Sequence, residues 1–92
     1  MDSVLHLLGL ARKGGNLALG EEPVKEACAR KTARLVLVAC DAAENTAQQA
    51  ARLAGAIPCL EAPWTKEELG SALGRSSCAV LALTDAGLAG AV

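Results

Sequence analysis

A lone histidine, a Cys-Asp pair ending an apolar run, a glycine-rich turn and a single tryptophan are the residues of this chain that could do chemistry. His6 could serve as a general base, but it stands among leucines, and no Asp or Ser is spaced to complete a triad by sequence. Cys40-Asp41 could pair a nucleophile with an acid. A catalytic thiolate needs a base and a lowered pKa, and His6 is the only histidine base on offer. Cys40 reads more simply as the last residue of a core strand. Gly14-Gly15 and Gly20 form a glycine-rich turn without the Gly-Lys-Ser/Thr ending of a phosphate-binding loop, and the turn follows a helix rather than a strand. The four cysteines, Cys28, Cys40, Cys59 and Cys78, make no C-x-x-C pair and match no zinc spacing. They read as small buried hydrophobes. The expectation is a protein that is not an enzyme and needs no metal or cofactor.

What remains is recognition by surface. Arg12 and Lys13 end the first helix. Gly20 exposes the N-terminus of the second, whose free N–H groups can hold a phosphate. Ala62-Pro63-Trp64-Thr65 is a loop, and Trp64 is the only aromatic residue of the chain. It lies between a proline and a helix cap, not in a core run. An aromatic ring so placed can stack on unpaired bases or fold back over a helix end.

The elements that must position these residues follow from periodicity. Val4, Leu5, Leu7, Leu8 and Ala11 fall at helical spacing behind Asp2 or Ser3 as N-cap, and Gly14-Gly15 ends the helix. Asn16 to Leu19 is a short extended piece, a candidate antiparallel edge strand. Glu21 and Glu22 suit the first turn of the next helix, Pro23 is tolerated there, and Val24, Ala27 and Cys28 form its buried stripe. Leu35 to Ala39, apolar on both faces, is a strand covered on both sides. Asn45-Thr46 opens a third helix with Ala47, Ala50, Ala51 and Ala54 as a narrow face. Ile57 to Ala62 is a second strand-like run. Thr65-Lys66-Glu67-Glu68 is a capping box for a fourth helix, and Gly74 ends it. Cys78 to Leu83 is the last strand, and Thr84-Asp85 begins a short terminal helix. Alternation of this kind predicts an α/β fold, a three-layer α/β/α sandwich around a small sheet. The chain has 92 residues, which predicts a single domain over 1–92.

The formal charge is −1. A strongly basic nucleic-acid binder would read differently, although a local basic patch can sit on a neutral protein. No apolar stretch is long enough to span a bilayer and no signal peptide is present. The reading is a cytoplasmic protein with reduced thiols and no membrane partner.

The run Leu7-Leu8-Gly9-Leu10-Ala11-Arg12-Lys13-Gly14-Gly15, then Leu19-Gly20-Glu21, then Leu35 to Thr46 resembles the YlxQ group. These are bacterial ribosomal-protein-like members of the kink-turn RNA-binding superfamily that includes ribosomal proteins L-seven-Ae and L-thirty-e. Pro58, Thr65 to Gly70, Leu73-Gly74 and Ala82 to Gly87 extend the resemblance over nearly the whole chain. It implies a four-stranded mixed sheet and binding to a bent RNA with sheared G·A pairs. The partner it implies is kink-turn or ribosomal RNA, with ribosomal or translation proteins nearby. Carried over, Gly20, Glu21 and Glu22 shape the groove-facing turn. Arg12, Lys13 and Lys25 meet phosphates, and Ala62, Pro63, Trp64 and Thr65 contact exposed bases. The sequence departs from the Gly-x-Asn-Glu-x-x-Lys run of the archaeal members. Those positions hold Glu22, Pro23 and Glu26 here, and Lys25 is one residue out of register, about 100° away on a helix. Fewer cations facing phosphate lower affinity and its salt dependence. The alternative is a protein-interaction module that keeps the fold without specific RNA binding.

Overall fold

The two central strands are written in two alphabets. In β2 (Leu35–Val38), Leu35 and Leu37 point to one side of the sheet, and Val36 and Val38 to the other. In β4 (Val80–Leu83), Leu81 and Leu83 join the leucine side, while Val80 and Ala82 join the valine side. Strand side chains alternate with period two, so an unbroken apolar run builds two different faces at once. Both strands are buried throughout, and each face needs its own helical cover.

The computed structural model describes residues 3–85 and residue 87. The helix α1 (Ser3–Lys13) and the helix α4 (Lys66–Ala72) pack together over the leucine face, supplying Leu8, Ala11 and Leu69. The helices α2 (Glu21–Ala29) and α3 (Glu44–Ala54) cover the other face. There the contacts are small: Val24 and Ala27 from α2, Ala50 and Ala54 from α3. Small side chains let these two helices lie close to each other and to the valines. Of the expected alanine face of α3, Ala51 is exposed and Ala47 half-buried. The stripe turned to the core is narrower than the sequence suggests.

The sheet has four strands in the order β1-β4-β2-β3, with β1 being Leu17–Leu19 and β3 Cys59–Glu61. The strand β4 lies antiparallel between β1 and β2, and β3 runs parallel to β2. It is the mixed sheet of an α/β/α sandwich, with β1 an antiparallel edge as expected. The other edge, β3, is short, follows Pro58 and carries an exposed Leu60 beside Glu61, features that discourage pairing with another chain.

Chain direction is set by the register. Leu17 pairs with Leu83 and Leu19 with Leu81. The Gly20 N–H then donates to the Val80 carbonyl at 3.0 Å. At the other end of β4 the Thr84 N–H donates to the Asn16 carbonyl, and the Arg34 N–H to the Leu83 carbonyl. The carboxyl ends of β1, β2 and β3 therefore lie at one end of the sheet, with the N-termini of α2, α3 and α4. The C-termini of α1, α2 and α3 lie at the other.

Two glycines are required by geometry. Gly20 has φ 95° and ψ 172°, a region open essentially to glycine alone. Gly70 carries the return of the chain after α4: an added methyl would fall 2.5 Å from the Ser77 Cα.

Two expectations are corrected here. Cys40 is exposed, because the strand ends at Val38 and Ala39 is the last buried residue. Cys28 and Cys59 are half-buried, and only Cys78 is fully in the core. Thr84 and Asp85 lie outside any helix, and most of the terminal helix expected after them, like Asp2 as N-cap, falls on residues outside those described.

Candidate nucleic-acid interface

The loops after β2 and β3 are bound into one platform. Ala62 N–H donates to the Val38 carbonyl at 2.7 Å, and Cys40 N–H to the Trp64 carbonyl at 2.9 Å. The Asp41 carboxylate accepts from the Lys66 N–H at 2.7 Å. The loop carrying Pro63 and Trp64 is thus held across both of its ends by the segment that leaves the central strand. The capping box completes the entry to α4: Thr65 Oγ1 accepts from the Glu68 N–H, and the Glu68 carboxylate accepts from the Thr65 N–H, both at 3.1 Å. The Thr65, Lys66 and Glu68 N–H groups at the start of α4 are thereby taken up by the protein's own side chains.

The starts of α2 and α3 differ. Their N-cap residues are Gly20 and Ala43, and neither helix has a side-chain cap. Thr46 Oγ1 donates to the Glu21 carboxylate at 3.3 Å, tying the two uncapped starts together. First-turn N–H groups carry partial positive charge, and Glu21, Glu22 and Glu44 stand beside them. With Asp41, Glu61 and Glu67 these carboxylates make this end of the sheet acidic, with Lys66 at the start of α4 beside them.

The sequence-predicted residues divide accordingly. Gly20, Glu21, Glu22, Pro63, Trp64 and Thr65 are brought to this one end. Pro63 is exposed, whereas Trp64 is half-buried and rests on the leucine-side core. Thr65 is occupied by its capping box. Ala62 is 2% exposed, so its side chain belongs to the core and only its neighbours face solvent. Lys25 is exposed on α2, one turn in from Gly20. Arg12 and Lys13 are not brought here. They end α1 at the opposite end of the sheet, and an Arg12 guanidinium nitrogen lies against Gly74.

Asp41 as the tie to α4 and Thr46 as the tie to α2 are positions in this platform that sequence reasoning missed. Both bonds join residues 25 apart in the chain. The one available signal was an acid directly after a buried strand. Elsewhere, α1 and α4 flank a cleft of about 920 Å³, lined by Leu5, His6, Leu10, Arg12, Glu68 and Leu73 among others. His6 is exposed on its wall. Burial raises the Cys28, Cys59 and Cys78 thiols above the ordinary value of 9.0, with Cys28 adding to the effect at Cys59. A thiol shifted upward is a poorer nucleophile at neutral pH.

Comparison with known proteins bears on what this platform meets. The model of the ribosomal protein L7Ae/L30e/S12e/Gadd45 family matches residues 2–91. The chain belongs to this family. Among solved structures, a protein of unknown function from Bacillus halodurans C superposes with a TM-score of 0.91 at 30% identity, covering 99% of this chain and 93% of that one. No curated protein matches the chain. The resemblance drawn from the sequence holds at the level of the L7Ae/L30e/S12e/Gadd45 family, and that membership points to RNA as ligand. Among the described residues no helix is long and apolar enough to cross a membrane.

Proposed function

We propose that the protein is a non-catalytic binder of structured RNA of the kink-turn kind, acting in the cytoplasm with ribosomal RNA or translation proteins. The observation that carries this reading is the family match over residues 2–91. The geometry supports it in two ways. The turn at Gly20 leaves the start of α2 uncapped and exposed, a place where backbone N–H groups can meet a phosphate or a base edge. The loop with Pro63 and Trp64 is fixed beside it by hydrogen bonds to Cys40 and Asp41, and a held aromatic ring loses little freedom on stacking. In this reading the whole of residues 1–92 acts as one RNA-binding domain.

The test is a titration against a kink-turn RNA and a straight duplex, at low and moderate salt. Preference for the bent RNA, weakened in Trp64→Ala by about 1–3 kcal/mol, is the expected result. Equal weak binding to both RNAs overturns the kink-turn assignment.

One observation favours a second reading. The carboxylates beside the Gly20 turn repel phosphate, which suits a protein partner with a basic surface at the same end. A pull-down at low salt that returns RNA and no reproducible protein partner counts against it.

A further inference from the structure

The formal charge of −1 conceals a strong separation of charge along the strand direction. Six of the nine Lys and Arg residues gather at the end opposite Gly20 and Trp64. Arg12 and Lys13 close α1, Arg30 and Lys31 follow α2, Arg34 precedes β2, and Arg52 lies in the last turn of α3. All are exposed. Arg30 pairs with Glu26 at 2.7 Å, and Asp85, which follows β4, lies at the same end.

Helix dipoles account for part of this arrangement, since cations are favourable near helix C-termini. They do not account for all of it. Arg34 belongs to no helix; its N–H enters the sheet at Leu83 while its side chain is exposed. Lys31 sits at φ 60°, in the left-handed region where a glycine would be relaxed. A cation occupies a position that the backbone alone would assign to glycine.

We propose that this basic end is a contact surface for the phosphodiester backbone of RNA, read by charge and not by sequence. The proposal rests on RNA being the ligand, and it assigns the phosphate contacts to a different part of the molecule from the Gly20 and Trp64 platform. Phosphate contacts set position and affinity while base contacts set specificity. Here the acidic platform is poorly suited to the first task and the opposite end is well suited to it. The described fold measures 31 × 28 × 18 Å, so an RNA with a flanking stem can reach along it, or two RNA segments can meet its two ends.

The experiment uses the full chain and compares it with the triple variant Lys31→Gly, Arg34→Gln, Arg52→Gln. Lys31→Gly relieves a positive φ, and the other two changes are at exposed positions, so the variant keeps its fold; a thermal melt checks this. Affinity for the kink-turn RNA and for the straight duplex is measured from low to moderate salt. The expected result is weaker binding of both RNAs and a salt slope lower by about one unit per cation removed. An unchanged slope with preference for the bent RNA intact overturns this inference and leaves the function reading standing. A slope lost in the variant, with wild type showing no preference between RNAs, supports the inference and removes the kink-turn reading. No RNA binding by wild type overturns both. Self-association in sedimentation that the triple variant abolishes, with RNA binding unaffected, also overturns it: the basic end would then meet the acidic end of a second copy.

Discussion

The two ends of the sheet are built by opposite means. At the end with Gly20 and Trp64, side chains reach across the fold: Asp41 to Lys66, Thr46 to Glu21, Thr65 and Glu68 to each other. At the other end the chain reversals are made mainly by backbone. Gly15, Asn16, Arg30, Lys31 and Thr32 all donate to carbonyls of the preceding helix, with one side-chain bond beside them, Thr32 Oγ1 to the Ala27 carbonyl at 3.2 Å. The difference follows from what each helix terminus lacks. A helix start has spare N–H donors, which carboxylates and hydroxyls satisfy. A helix end has spare carbonyls, which the following backbone satisfies by turning back. Carboxylates stand at the helix starts of the first end and cations at the helix ends of the second, and an almost neutral chain presents two ends of opposite character.

Breaking the first end has the largest effects. Gly20→Ala puts a side chain at φ 95°. It costs about 1–3 kcal/mol of stability, with loss of RNA binding at the same turn, read by urea denaturation and by titration. Space is not the cause, since the added methyl would meet only Pro23 Cδ at 3.9 Å. Asp41→Ala comes next. It frees the Lys66 N–H and the loop around Trp64, and costs about 0.5–2 kcal/mol, the range for losing a helix-start acceptor. If Asp41→Ala melts like wild type, the tie from β2 to α4 is ornamental and the platform is held by backbone alone. At the second end the sign reverses. Lys31→Gly removes about 1–2 kcal/mol of left-handed strain and adds back about 0.4–1 kcal/mol of unfolded-chain freedom. A net gain of roughly 0.5–1 kcal/mol is expected from those two terms, visible as a higher urea midpoint. A loss would mean that the Lys31 side chain makes a stabilising contact.

Features whose cause is local were legible in the sequence. Thr65 to Glu68 spelled a capping box because both of its bonds lie within four residues. The unbroken apolar runs Leu35 to Ala39 and Cys78 to Leu83 announced buried strands, because strand parity is a property of consecutive residues. Features that depend on register were not legible. Which helices share an end with β4 is decided by how β4 pairs between β1 and β2, which no local pattern states, whereas Arg12 and Lys13 are parted from Gly20 simply because β1 runs between them. Ala62 looked like loop because Pro63 follows it, yet its N–H extends the ladder to Val38 and its methyl is in the core. Cys40 looked like the end of the apolar run, but the pairing stops earlier, with Ala39 N–H on the Ala79 carbonyl, and Cys40 turns outward.

The cysteines carry the same comparison to its smallest measurable effect. Cys40 stands exposed at the platform end. Cys28, late in α2, and Cys59, at the start of β3, are half-buried toward the other end, and burial raises both thiols above 9.0. Alkylation at pH 8 should therefore modify Cys40 first, read by mass spectrometry of peptides. The same shift gives a pH dependence of known sign. In the unfolded chain these thiols ionise near 9.0, and in the folded protein they ionise higher. Their contribution to stability is fully present below the unfolded value and is lost as pH rises through the folded one. Stability should thus hold from neutral pH to about 9 and decline above it. Cys59→Ala should flatten that decline more than Cys28→Ala, because Cys59 carries both the burial and the neighbouring thiol. An equal decline in wild type and in the double variant would place the alkaline sensitivity elsewhere.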